Sequence, residues 1–166
     1  MDASSAFEKS IAFLESIGIS VSFKPIATEC FLPGIAIEDG YVTIDKDKIK
    51  YPGDILHEAG HIAVVPANER NSLDEKSIAL RENREAEEMM AIAWSYAVCV
   101  HLDIDASFVF HKDGYNGGGQ SIADNFNAGN YFGVPMLQYV GMTTEKKNAE
   151  ATGKEPYPAM IQWMRS

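Results

Sequence analysis

The chain has 166 residues, 46% of them apolar, and a formal net charge of -10. That length suits one domain, expected over residues 1–166, with a sizeable core, and the composition excludes a disordered or fibrous chain. With 14 Lys and Arg against 24 Asp and Glu, the mean field repels phosphate backbones and argues against a nucleic-acid partner.

The opening Met1-Asp2-Ala3-Ser4-Ser5 has no basic leader, and no apolar run approaches the roughly 20 residues of a membrane span. The expectation is a cytoplasmic protein without a membrane partner. Cys30 and Cys99 are too few for a disulfide framework or a thiolate zinc site. Both are expected as reduced, packed small hydrophobes.

Phe7, Ile11, Phe13, Leu14 and Ile17 recur at helical spacing and predict a helix over 5–17, stopped by Gly18. Ile19, Val21 and Phe23 then alternate with Ser20, Ser22 and Lys24, the period of a half-buried strand. Runs at 35–37 and 41–44 flank Glu38-Asp39-Gly40, and Asp-Gly supplies the positive φ of a hairpin turn. Pro52-Gly53-Asp54 opens a helix through Val65 that Pro66 ends. A longer helix is expected from Leu73 to His101. The glycine-rich stretch from Asp113 to Gly119 lacks the Gly-Lys-Ser/Thr of a phosphate loop and reads as a turn or lid. Short helices or turns follow around Phe126, Met136 and Met160. A helix, a small antiparallel sheet and then a helical half predict an α+β fold.

The chemistry concentrates at His57-Glu58-Ala59-Gly60-His61. Helical residues four apart lie one above the other, so His57 and His61 can offer two imidazole nitrogens to one metal ion. Glu58 sits about 100° round the helix from His57, where it flanks the ion as a base toward water instead of ligating it. Ala59 and Gly60 are small and let a neighbour come close. A helix carrying these residues by coincidence would leave Glu58 without an evident partner, a costly arrangement.

A catalytic zinc takes three protein ligands and keeps one open position. The metzincin continuation, Gly at 64 and His at 67, is excluded by Val64 and Ala67. His101 and His111 are possible nitrogen ligands, but Arg84-Glu85-Ala86-Glu87-Glu88 is the better source. Glu88 is favoured because its helix face continues through Ala91, Ile92, Ser95 and Cys99, mostly small residues. Glu85 is followed by Met89, Ile92 and Tyr96, and Glu87 by Ala91, Trp94 and Val98; these two stay open as alternatives. At least one of the three acids is expected to be solvated at the helix N-terminus.

His57-Glu58-x-x-His61 with a downstream helical glutamate resembles the gluzincin metallopeptidases. The small size, with Glu88-x-x-Ala91-x-x-Trp94, is similar to the Glu-x-x-Ala-x-x-Phe pattern of the ImmA/IrrE-type minimal gluzincins. The likeness runs from about Val42 to Tyr96; position 92, an acid in many gluzincins, is Ile92 here. The resemblance implies a zincin-like fold, with a small antiparallel sheet packed on the active-site helix and a second, ligand-bearing helix. It implies Zn2+ held by His57, His61 and Glu88, and hydrolysis of a peptide or protein substrate by a metal-activated water with Glu58 as general base. It further implies that the strand before the metal helix, Tyr41 to Asp45, lies at the cleft edge and binds an extended peptide by strand addition. His111, Tyr115 and Tyr131 flank glycine-rich chain and are candidates to stabilise the oxyanion, although aromatics more often serve packing. The same residues also admit a zinc-binding regulatory or protein-interaction module with little or no general proteolysis.

Overall fold

The computed structural model of the protein describes residues 2–27 and 31–166. Helix α1 (Ala3–Ser16) starts at Asp2, whose carboxylate accepts the Ser5 N–H and satisfies one free donor of the first turn. Three strands follow, β1 (Val21–Phe23), β2 (Ile35–Glu38) and β3 (Tyr41–Ile44). The β2–β3 hairpin closes on the pair Glu38–Tyr41, with Asp39 and Gly40 at φ 50° and 75°, the backbone an Asp-Gly turn requires.

The sheet is mixed, not antiparallel. Its order is β1-β3-β2, with β1 parallel to β3 and β2 antiparallel to it. The alternation over residues 19–23 marks a strand but carries no direction; Phe23 and Ile35 both pair with Ile44, so β1 ends and β2 begins at the same end of the sheet, on opposite sides of β3. This arrangement overturns the expectation that Tyr41 to Asp45 forms the cleft edge. β3 is the central strand: the Val42 N–H donates to the Ser20 carbonyl, the Ile44 carbonyl accepts from Lys24, and β2 occupies the other side. A strand paired on both sides has no backbone groups left for a peptide.

Helix α2 (Asp54–Val64) carries the two histidines, and α4 (Arg84–Leu102) packs along it. The single helix expected from Leu73 to His101 is broken. A short α3 (Glu75–Ala79) opens on a capping box between Asp74 and Ser77 and closes at Leu80, and the chain turns before α4 begins. Arg81, inside that turn, explains the break. Its guanidinium grips Glu87 at 2.6 and 2.9 Å and Glu69 at 2.7 Å. Six residues of continuous helix would put 81 and 87 about 120° apart, on different faces, whereas the interrupted chain brings them together.

α2 and α4 come close at Gly60, where an added Cβ would meet the Ala91 carbonyl oxygen, Cα and Cβ at 3.0–3.1 Å. The Ser95 hydroxyl donates across the same seam to the Leu56 carbonyl at 3.2 Å and within its own helix to Ala91 at 2.7 Å. Small residues at 60, 91 and 95 thus set how near the two helices lie. Gly60→Val should push them apart and cost about 1–3 kcal/mol, the usual penalty of overpacking. Urea unfolding of the metal-free protein measures it, and an unchanged midpoint would show that the seam is looser than described.

The C-terminal end of α2 is capped from far along the chain. Arg70 donates to the carbonyls of Ile62 and Val65 and also to that of Arg165. Arg165 in turn covers Ala63 through its N–H and Val64 through its guanidinium. Two cations at this end also complement the helix dipole. Helices α5 (Gly119–Asn127), α6 (Val134–Tyr139) and α7 (Lys146–Thr152) complete the helical half. α7 was not anticipated, and around Met160 the expected short helix or turn is a turn at 157–158 followed by a bridge between Met160 and Thr143.

Trp94, Phe110 and Phe126 are fully buried in one contiguous apolar core. Cys99 is a free, buried thiol whose pKa burial pushes up to about 12, in keeping with a packing role; Cys30 lies outside the described residues. Among the described residues no helix is long and apolar enough to cross a membrane.

Candidate metal centre

His57 and His61 stand one turn apart on the α2 face that meets α4, and Glu88 projects from the first turns of α4 toward them. The two Nε2 atoms are 3.2 Å apart. Glu88 places Oε1 at 3.5 Å from His57 Nε2 and Oε2 at 3.3 Å from His61 Nε2. One donor atom from each of the three residues lies within 4.8 Å of the others. A tetrahedral ion with bonds of about 2.0–2.2 Å separates its donors by roughly 3.3–3.6 Å. Two imidazoles and one carboxylate at these spacings therefore fit a zinc ion with one position left open.

The charges suit the same use. Burial, reinforced by neighbouring His61, pushes the His57 pKa down to about 3, so its imidazole is neutral. For His61 burial opposes the charge, but its hydrogen bond to Glu88 and the charges of Glu58 and Glu88 outweigh this and raise its pKa. Glu88 pays a burial penalty that its bond to His61 and the two histidine charges overcome, leaving its pKa below the usual range. Glu58 is 7% exposed. Burial pushes its pKa up to about 7, the range a general base at neutral pH needs.

Glu58, His61 and Glu88 border a cleft of about 630 Å³ whose apolar wall includes Phe31, Ile78 and Met89. That wall was not anticipated: Phe31 is 89% exposed, and Ile78 belongs to the helix that the sequence pattern merged into α4.

The other candidates lie elsewhere. Glu87 is buried in its pair with Arg81, and Glu85 is exposed on the cleft rim. His101 packs on the rings of Phe13 and Trp163 at 5.5 and 5.1 Å. His111 is bonded to Asp54 at 2.9 Å and stacked on Tyr51. Tyr131 packs against Phe126 and Tyr157. Tyr115 alone of the aromatic candidates reaches the centre, with its hydroxyl 3.1 Å from His57 Nδ1. Asp54 escaped notice, although it lies three residues before His57 on the same helix face.

Because Arg81 is the partner of buried Glu87, Arg81→Ala should destabilise the fold by roughly 3 kcal/mol, the cost of stranding one member of a buried pair. Thermal or urea unfolding reads this directly. A loss below about 0.5 kcal/mol, ordinary for a surface substitution, would contradict it.

Compared with known proteins, the chain matches no family model, no curated protein and no solved structure. The functional reading rests on the site itself.

Proposed function

We propose that the protein is a zinc-dependent peptide hydrolase in which His57, His61 and Glu88 hold the metal and Glu58 is the general base. The observation that carries this reading is the separation of roles among four clustered side chains. Three donors converge at metal spacing, while a fourth, Glu58, stands in the same cleft outside the donor set. A zinc held only for structure needs no buried carboxylate beside it with a pKa near neutrality. Bound zinc supplies Lewis acidity toward water and toward a substrate carbonyl. Neutral His57 donates through Nε2, and Glu88 brings the compensating negative charge. Glu58 accepts the proton released from water and can return it to the leaving amine. The apolar wall shields that exchange from bulk water and offers an apolar surface to the substrate. A zincin-like fold of ImmA/IrrE type and a cytoplasmic location belong to the same proposal.

One observation favours a second reading, a zinc-binding regulatory or interaction module. The strand before the metal helix is internal to the sheet, so peptide capture by addition to it is closed. Elemental analysis of protein purified without chelator, followed by exposure to a mixed peptide library, decides between them. Stoichiometric zinc with chelator-sensitive cleavage supports the hydrolase. Stoichiometric zinc without cleavage supports the module, and absence of zinc removes both.

A further inference from the structure

We propose that Tyr115 is a positioning residue of the metal centre: its hydroxyl oxygen accepts the Nδ1–H of His57 and so fixes the tautomer that leaves Nε2 free for the metal. The inference rests on the zinc reading above and adds to it a residue outside the donor set.

The geometry is specific. The Tyr115 ring stands edge-on to the His57 ring, with centroids 5.3 Å apart and planes at 82°, and its oxygen is 3.1 Å from Nδ1. Nδ1 has no other partner among the described residues. A histidine that binds metal through Nε2 carries its proton on Nδ1, and whatever accepts that proton sets the ring's orientation and basicity.

The backbone that presents Tyr115 is unusual. Tyr115 and Asn116 have φ of 55° and 56°, and Gly117 follows at 82°. Two successive side-chain-bearing residues in the left-handed region are strained. Such a turn persists only when its surroundings hold it. Here the hold is His111, four residues earlier, whose Nε2 bonds Asp54 Oδ1 at 2.9 Å. The His111 ring stacks on Tyr51 at 3.9 Å, and the Tyr51 hydroxyl donates to Asp113 at 2.7 Å. His111 and Tyr115 thus fasten one loop to two points on a single turn of α2, Asp54 and His57. The hydroxyl is engaged behind the His57 ring, and Tyr115 does not border the cleft, so it supports a ligand and is not placed to meet an oxyanion.

The test uses Zn2+ alone, titrated against a chromophoric chelator, with wild type, Tyr115→Phe and Tyr131→Phe. Tyr115→Phe should weaken zinc binding about 10–100-fold, the worth of such a supporting partner, while Tyr131→Phe binds as wild type. A purely packing role would lower the unfolding midpoint of the metal-free protein but leave the His57 imidazole signature in place. Imidazole 15N spectra of the zinc-loaded protein should show His57 protonated at Nδ1 and metal-bound at Nε2 in wild type, and altered in Tyr115→Phe. Wild-type spectra suffice if that variant fails to fold: a His57 bound through Nδ1, or an Nδ1 proton in fast exchange with water, would overturn the proposal. So would zinc affinity of Tyr115→Phe within twofold of wild type with an unchanged spectrum. Wild-type protein that binds zinc but gives either result loses only this inference. Wild type that takes up no zinc loses the metal reading as well.

Discussion

Glu58→Gln should abolish hydrolysis while leaving the zinc content intact. The side chain is nearly isosteric, so the packing of α2 is preserved, and it lies outside the donor set. What it loses is the ability to take a proton, a contribution of about 10²–10⁴ in rate for a positioned general base. The same substitution has an effect on stability whose sign is fixed. In the folded protein the Glu58 pKa is raised from 4.5 to about 7, so the native state holds its proton more tightly than the unfolded chain does. Stability linked to this group is fully present below about pH 4.5 and declines as pH rises toward 7, by roughly 2–4 kcal/mol. Metal-free Glu58→Gln should escape that decline. Urea unfolding at pH 5 and pH 7.5, with and without the substitution, checks it. A variant that loses zinc with its activity, or that shows the wild-type pH slope, would mean Glu58 holds metal or lies exposed.

Glu88→Gln should cost far more zinc affinity than Glu85→Gln or Glu87→Gln. Outer partners of a zinc site are worth about 10–100-fold, and loss of a direct anionic donor should exceed that. Glu88 has an oxygen within 3.3–3.5 Å of both histidine nitrogens. Glu85 stands on the rim, and Glu87 is committed to Arg81. Affinity should also fall as pH drops, because the raised His61 pKa makes the metal displace a proton there. Chelator competition across the three variants measures both effects. Equal losses from Glu88→Gln and Glu85→Gln would break the assignment.

The sequence pattern carried local features well where one physical rule dominated. Asp39-Gly40 specified its hairpin because few pairs accept two successive positive φ angles. The proximity of Glu88 to the histidines was legible because small residues at 91 and 95 follow it on one face, opposite Gly60. Features that depend on distant partners were hidden. The break before α4 goes with an ion pair between 81 and 87 that the bent chain brings together, while the composition of 73–101 is helical throughout. That β1 pairs parallel with β3, across it from β2, is something no period encodes. Tyr115 looked like one aromatic among several beside glycines, since its place behind His57 is set by a left-handed turn that His111 secures.

The far-reaching cap on α2 ties the completion of that helix to a contact very distant along the chain. The Val64 carbonyl receives the guanidinium of a residue 101 positions later, and Ala63 receives the N–H of that same residue. Without that residue the Ala63 and Val64 carbonyls at the end of the histidine-bearing helix lose these donors. Closing a loop of that span carries its entropic cost before any contact repays it. The last turn of α2, which carries His61, is therefore fully capped only when the chain around Arg165 has folded back onto it.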